Sequence, residues 1–378
     1  MTSASPSTDT FNVVIAGGGV AALETALALR ELGEAHLSTT LVAPNAEFVY
    51  RPMTVREPFA YSAAQRYPLG EIAEDIGAEL LVDSFAWVDA AERIAHTEAG
   101  TELHYDALVL ALGARAFPRY KHALTIDDRR LDELLHGLIQ DVEAGYVKQL
   151  AFVIPKRMAW PLPIYELALM TAGRAHDMGV ELKVTIATPE TKPLAIFGDG
   201  ASTGVSQLLD DSGITVVTSA DCEIPATGQI TFRNGTRRLQ ADRIVALPEL
   251  YGPAVRGLPA GSHGFIPVDP HCQVRHTERV YAAGDATDFA VKHGGISAQQ
   301  ADTAAQSIAA LAGVEISPEP FHPTIRGILL TGGKPRYLSA HVTGGHGFAS
   351  HITDTPTWSP PTKIAARYLA PYLDARDR

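Results

Sequence analysis

Gly17, Gly19 and Ala22 follow at once on the apolar run Phe11-Asn-Val-Val-Ile-Ala16. That spacing suits the pyrophosphate of a dinucleotide. Gly17 permits a tight turn, Gly19 lets the backbone approach the phosphates, and a small residue at Ala22 lets the next helix lie close on the strand. Free N–H groups at the helix start, with the positive end of its dipole, hold the anion. A second group lies far downstream, where Val280-Tyr-Ala-Ala283 breaks on Gly284 and Asp285. An Asp presented on a glycine turn can accept hydrogen bonds from a polyol, and the helix start near Lys292, Gly294 and Gly295 can face an electron-rich ring edge. The plainer reading of Asp285 is a helix N-cap. Between the two groups, Phe48, Tyr50, Arg51 and Pro52 suit a wall beside a flat ring system, or a packed loop with Arg51 in a salt bridge. Metal chemistry is not expected. His341, His346 and His351 recur every five residues through a Gly-rich segment, which matches neither a helical ligand pair nor a finger.

These residues need parallel strands and helices to present them. Ala22, Leu23, Ala26, Leu27 and Leu29 mark a helix that Gly33 follows and caps, and Ser38 to Ala43 reads as a second parallel strand. At the carboxyl end of that strand an acidic residue usually grips a ribose; Ala43-Pro44-Asn45 stands there, so Asn45 is the weaker substitute. Phe85 to His104 alternates like a small antiparallel sheet, and Tyr105 to Gly113 is an apolar strand ending on Gly113. Asp127 to Tyr146 has helical spacing and leads into the strand Leu150 to Ile154. A second dinucleotide turn would follow that strand. Pro155-Lys-Arg-Met-Ala-Trp160-Pro161-Leu-Pro163-Ile-Tyr-Glu166 follows instead, with a helix from Leu167 to Met178. Proline offers no N–H, and side chains along the turn obstruct phosphates. Leu182 to Ala187, ending Thr188-Pro189-Glu190, echoes Thr40 to Asn45, either through internal duplication or because parallel strands look alike. Asn234-Gly235 marks a hairpin turn, and Ser297 to Ala312 a helix. Thr362 to Leu373 reads as a short amphipathic helix with Lys363, Arg367 and Arg376 on its polar side, packing on its own domain or a second subunit in preference to a membrane surface.

With 378 residues the chain can form several cores, and 43 acidic against 31 basic residues give a net charge of −12. That balance argues against a nucleic-acid partner. Residues 1–10 carry neither a basic nor an apolar signal region and read as a disordered leader. No apolar run has the length to span a bilayer. Cys222 and Cys272 are the only cysteines. They form no CxxC and no disulfide framework, and a cytoplasmic location is the simplest expectation.

Taken together, Gly17-x-Gly19-x-x-Ala22-x-Glu24, the Tyr105 to Gly113 strand and Tyr281-Ala-Ala-Gly284-Asp285 resemble the FAD-dependent pyridine nucleotide-disulfide oxidoreductase superfamily. Within it the chain is most similar to the sulfide:quinone oxidoreductase and flavocytochrome c sulfide dehydrogenase branch. The resemblance implies an α/β fold of two Rossmann-like dinucleotide-binding units of three-layer ββα type, with a small C-terminal α+β region. It divides the chain into a first part of the FAD-binding domain (11–117), a second Rossmann-like domain with a degenerate NAD(P) site (118–240), a second part of the FAD-binding domain (241–320) and a C-terminal interface region (321–378). It assigns Gly17, Gly19 and Ala22 to the FAD pyrophosphate, Asp285 on its Gly284 turn to the ribitol, Gly113 to the crossing strand, and Lys292, Gly294 and Gly295 to the pyrimidine edge. Asn45, Arg51 and Pro52 complete the expected cofactor-binding set.

The departures from that family narrow the chemistry. Sulfide oxidation in that branch uses cysteines beside the flavin, and Ala159 and Trp160 stand where one is expected. Disulfide reduction lacks its CxxC. The leading expectation is an FAD oxidoreductase moving two electrons from a small donor to a quinone or similar acceptor. The alternatives are an NAD(P)H-fed reductase with a degenerate nicotinamide site, and a flavin-binding sensor or assembly subunit without turnover. A weak peripheral membrane contact and a homodimer are both left open.

Overall fold

A computed structural model describes residues 10–33, 36–233, 238–343 and 346–378. In chain order, β1 (Phe11–Ala16), α1 (Val20–Gly33) and β2 (Leu37–Ala43) precede a 3-10 stretch over Arg51–Phe59, α2 (Leu69–Ile76) and β3 (Glu79–Val82). Three antiparallel strands, Phe85–Asp89, Ile94–Thr97 and Glu102–His104, lead to β4 (Ala107–Leu110) and β5 (Leu124–Thr125). Next come α3 (Leu131–Glu143), β6 (Gln149–Val153), α4 (Leu162–Asp177) and β7 (Lys183–Ala187). They are followed by α5 (Gly198–Asp211), β8 (Thr215–Val217), β9 (Arg243–Ala246), β10 (Val280–Ala282) and α6 (Gly294–Leu311). β11 (Thr324–Leu329), β12 (Arg336–Thr343), β13 (His346–Thr353) and α7 (Leu369–Arg376) close the order.

Two five-stranded sheets carry the architecture, ordered β10-β4-β1-β2-β3 and β5-β9-β6-β7-β8, and every pairing in both is parallel. Strands covered on both faces read as unbroken apolar runs, and β1 and β4 do so. Val13 and Ile15 face the Ala-rich surfaces of α1 and α6, whereas Val14, Ala16, Leu108 and Leu110 face Val88, Ala95 and Tyr105 on the side of the small antiparallel sheet. The first unit is therefore three-layered, as expected. Each sheet sets its strand-helix-strand unit, β1-α1-β2 or β6-α4-β7, at the same place in the order. That repetition favours the duplicated architecture. β11, β12 and β13 form an antiparallel sheet packed on α5, with Ile352 against Gly204 and Gly327 against Phe197.

Several boundaries differ from the sequence reading. α4 begins at Leu162, five residues early, because Pro161 takes the N-cap and Pro163 sits in the first turn, where no N–H is needed. α6 begins at Gly294, so both glycines belong to the helix. Residues 45–58 hold a short strand, Glu47–Val49, before the 3-10 stretch. The histidines at 341, 346 and 351 stand on the β12–β13 hairpin and not in a loop. The C-terminal helix begins at Leu369 and not at Thr362. The expected leader and the Asn234-Gly235 turn fall outside the described residues, apart from Thr10.

Candidate functional site

The first glycine loop is built by crowding on one side and open space on the other. Gly17 has φ +141°, and a Cβ there would lie 2.3 Å from the Ala111 carbonyl oxygen, where β4 leaves the sheet. Only glycine fits. Its N–H donates to Val42 O at 2.8 Å, which pins the turn to β2. Gly19 is the reverse case: a Cβ there meets nothing within 4 Å. Its carbonyl accepts the first helical bond, from Leu23 N at 3.0 Å, so Gly19 is the N-cap of α1 and the first N–H groups of the helix have no helical acceptor. Ala22 is fully buried under the helix. Gly113 has φ +70° with no atom within 4 Å of a Cβ. Asn45 is exposed at the end of β2.

The second motif touches the first. A Cβ on Gly284 would meet the Ala21 methyl at 3.2 Å and the Ser297 hydroxyl at 3.1 Å. Gln300 of α6 fixes the turn by accepting from Gly284 N at 2.8 Å, while Thr287 donates to Gly284 O at 2.9 Å. Asp285 lies in the 3-10 turn Gly284–Ala286; the N-cap of α6 is His293, so the plainer N-cap reading of Asp285 does not hold for that helix. Burial raises the Asp285 carboxyl to about 6; Lys292, Arg51 and a Ser297 hydrogen bond pull it down, and Asp128 pushes it up. Arg51 itself pairs with Asp128 at 3.6 Å, both half-exposed, which is the packed-loop alternative.

Lys292 differs from expectation. Its ammonium donates to Thr287 O at 2.5 Å and Phe289 O at 2.6 Å, and lies 4.1 Å from the centre of the Phe265 ring. Burial lowers it to about 8, against the attraction of Asp285 and Asp288. It braces the loop entering α6, which is a structural task that sequence spacing does not reveal. The neighbouring His293 is buried and packs on Trp160, ring centres 4.3 Å apart and planes tilted by 39°. Burial, then the Lys363 charge, pushes it down to about 3, so it is a neutral imidazole.

The C-terminal segment reaches this place in an unexpected way. Lys363, assigned from the sequence to a polar helix face, is buried; its ammonium donates to both oxygens of Glu166 at 2.7 and 2.8 Å and to Pro52 O at 3.0 Å. Glu166 also accepts from Leu330 N at 2.9 Å. Burial drives the Glu166 carboxyl up and the Lys363 ammonium down, and their mutual attraction opposes both shifts. With three acceptors around one ammonium, the pair is an ion pair. Ile364 packs against Gly294, where a Cβ would come within 2.9 Å of it, and Ile364 N donates to the Tyr50 hydroxyl at 2.9 Å. α7 packs on α1 through buried Leu369 and Leu373, and Arg376 pairs with Asp75 and Glu71.

At the second unit the corresponding place is filled from within. Glu190, at the carboxyl end of β7, occupies the position where a ribose-binding acid is expected. Its carboxylate accepts from Tyr165 Oη at 2.6 Å, Thr188 Oγ1 at 2.9 Å and Ala195 N at 3.1 Å. Tyr165 is fully buried. Burial raises both groups, Tyr165 well above its ordinary value.

Open space at a capped helix start, an adjacent half-buried carboxylate and a glycine edge at Gly113 fit a dinucleotide with a polyol arm. Sequence reasoning found the glycines and Asp285. It missed Ser297 and Gln300, which lie in an ordinary alanine-rich helix, and Lys363 and Glu166, whose pairing no local pattern encodes.

The family model for pyridine nucleotide-disulphide oxidoreductases matches residues 11–137 and 166–307, more than half of the chain. A relative by sequence is the large subunit of nitrite reductase [NAD(P)H] from Klebsiella oxytoca, 26% identical over 275 residues; the match covers 70% of this chain and 28% of that subunit. Among solved structures, sulfide:quinone oxidoreductase from Aquifex aeolicus superposes with a TM-score of 0.82 at 18% identity, covering 91% of this chain and 87% of the other. A ferredoxin reductase from Rhodopseudomonas palustris gives 0.67 at 21% identity over 88% and 83%. These likenesses concern the fold.

Proposed function

The chain belongs to the pyridine nucleotide-disulphide oxidoreductase family and is an FAD-dependent oxidoreductase, and from that premise we propose that it moves two electrons from a small donor other than NAD(P)H to a quinone or similar small acceptor. Bound FAD supplies the two-electron carrier. Gly17, Gly19 and Ala22 would receive its pyrophosphate, Asp285 its ribitol, and Gly113, Gly294 and Gly295 would border the ring. Pro52 and Arg51 would line the approach, and Asn45 would stand by the adenosine end.

One observation carries the choice of donor. The second dinucleotide turn is closed by Pro161 at the helix cap and Pro163 in the first turn, and the ribose-binding acid is already saturated by Tyr165, Thr188 and Ala195 N. Cysteine chemistry is equally unsupported. Cys222 and Cys272 are buried, and burial raises both thiols, Cys222 to about 12, so neither is a thiolate near neutral pH. The internal packing of α7 supports a soluble acceptor over a membrane contact through that helix.

Anaerobic mixing tests the reading. The FAD-loaded protein, photoreduced and mixed with a water-soluble quinone, should regain its flavin absorbance within seconds, whereas millimolar NADH or NADPH should not bleach the oxidised form. Failure of quinone reoxidation removes the proposed acceptor, and bleaching by either nucleotide removes the proposed donor class. A second reading, reduction by NAD(P)H, draws on the name of the Klebsiella relative and is the outcome that bleaching would establish.

A further inference from the structure

Glu24 lies on α1, one turn beyond the phosphate loop, and is fully buried. Its carboxylate spends itself on the far end of the chain. Oε1 accepts from Arg367 N at 2.7 Å and Tyr368 N at 2.9 Å, and Oε2 accepts from Leu369 N at 2.6 Å. These are the N–H groups at the start of α7, which otherwise have no helical acceptor, so Glu24 caps the C-terminal helix from another element. The cap explains why the helix begins at Leu369: with residues 367 and 368 held on the carboxylate, residues 362–366 form a bent, non-helical segment. There Ile364 covers Gly294, Lys363 pairs with Glu166 and holds Pro52 O, and Tyr50 accepts from Ile364 N. The strap thus touches Pro52 and Gly294 of the proposed cofactor wall and, through Glu24, the helix that starts at the phosphate loop.

We propose that Glu24 is a positioning residue that couples the two: docking of residues 362–376 and binding of FAD each favour the other. The physical reason is that a buried carboxylate losing three N–H partners is strongly destabilised, so release of the strap disturbs α1 at its phosphate-binding end. Occupation of the loop by FAD orders that same end. By linkage, whatever stabilises one arrangement stabilises the other equally.

The inference rests on the reading of the glycine loop as the FAD site, and the experiment separates the two. Amide hydrogen exchange is measured on the full chain, free and with FAD at about 100 times its Kd. If strap opening excludes FAD, exchange at Arg367, Tyr368 and Leu369 should slow by up to about 100-fold, the factor 1 + [L]/Kd. Slowing at Val20 to Leu23 with no change at 367–369 overturns the coupling and leaves the FAD site standing; no FAD binding at all overturns both. Glu24→Gln gives the second arm. It keeps one acceptor oxygen for Arg367 and Tyr368 and loses the Leu369 bond, so Kd for FAD should rise at least tenfold, and Glu24→Ala should raise it further. An unchanged Kd in a folded Glu24→Gln protein refutes the proposal.

Discussion

Gly19→Val separates the cofactor loop from the fold. A Cβ at Gly19 meets no protein atom within 4 Å, so a side chain there enters only the open space that the proposed reading gives to phosphate. In the free protein the change costs about 1 kcal/mol, the difference between glycine and a β-branched residue at an N-cap. In the FAD complex it should displace the pyrophosphate from at least two N–H groups. A hydrogen bond to a charged acceptor is worth about 1.5–3 kcal/mol. Two of them give about 3–6 kcal/mol, or two to four powers of ten in Kd. Gly17→Ala is the control with the opposite profile: its Cβ would sit 2.3 Å from Ala111 O at φ +141°, so the fold itself should lose more than about 3 kcal/mol. The assay is FAD titration by fluorescence quenching beside thermal unfolding of the free protein. Wild-type FAD affinity in Gly19→Val would refute the assignment of this loop to the pyrophosphate.

Three further outcomes follow from the buried charges. Burial and the neighbouring Glu24 raise Asp302 to about 9, with Arg367 opposing, so the folded state holds a proton that the unfolded state releases above about 4. Stability should therefore fall as pH rises from about 4 to about 9, by at most about 1.4 kcal/mol per pH unit from this group, and Asp302→Asn should flatten that slope in unfolding midpoints; an unchanged slope sinks the assignment. Asp285, raised to about 6, accepts more strongly from ribitol hydroxyls once ionised, so FAD should bind more tightly from pH 5 to 7; Asp285→Asn should weaken binding and abolish that trend, and a trend surviving in the variant counts against Asp285. Lys363→Met leaves Glu166 buried with Leu330 N as its remaining partner and should cost about 3–5 kcal/mol in denaturant unfolding, most of it recovered in Lys363→Met with Glu166→Leu; a single-variant loss under about 1 kcal/mol would show that the pair is not an ion pair.

What was legible in the sequence was whatever a few neighbouring residues decide. Gly17 and Gly284 have positive φ where strands end against close neighbours, the Ala111 backbone for one and the Ala21 and Ser297 side chains for the other, and that demand is written locally as glycine after an apolar run. The parallel strands are legible for the same reason, since burial on both faces leaves no polar alternation. The start of α4 is not legible as helix because Pro161 and Pro163 interrupt the apolar spacing, although at the cap and first turn prolines break nothing. Lys363 misled more deeply. Helical spacing counted it as a solvated charge, yet its partner Glu166 lies on a helix from the other half of the molecule, and no periodicity carries information about that meeting. The same holds for Glu24, whose three acceptor contacts replace the helical turn expected at 362–368.

The two halves then diverge in a direction that the acids make clear. Where the dinucleotide is expected, β2 ends in Ala43-Pro44-Asn45 and Asn45 is exposed. In the second half β7 is followed by Thr188-Pro189-Glu190, which keeps the acid. A buried carboxylate must be hydrogen-bonded, and Tyr165, Thr188 and Ala195 N do this from within the chain. Tyr165 can reach Glu190 because α4 starts early, and the same first turns point Glu166 the other way, into Lys363 and the C-terminal strap. On the proposed reading, adjacent residues of one helix therefore close the second nucleotide position and fasten the strap beside the first. Reopening the nicotinamide position would take more than restoring glycines, since replacing Pro161 and Pro163 disturbs the turn that sets both Tyr165 and Glu166. On the proposed reading, a second unit committed in this way serves the first as scaffold, and electrons enter the flavin from another donor.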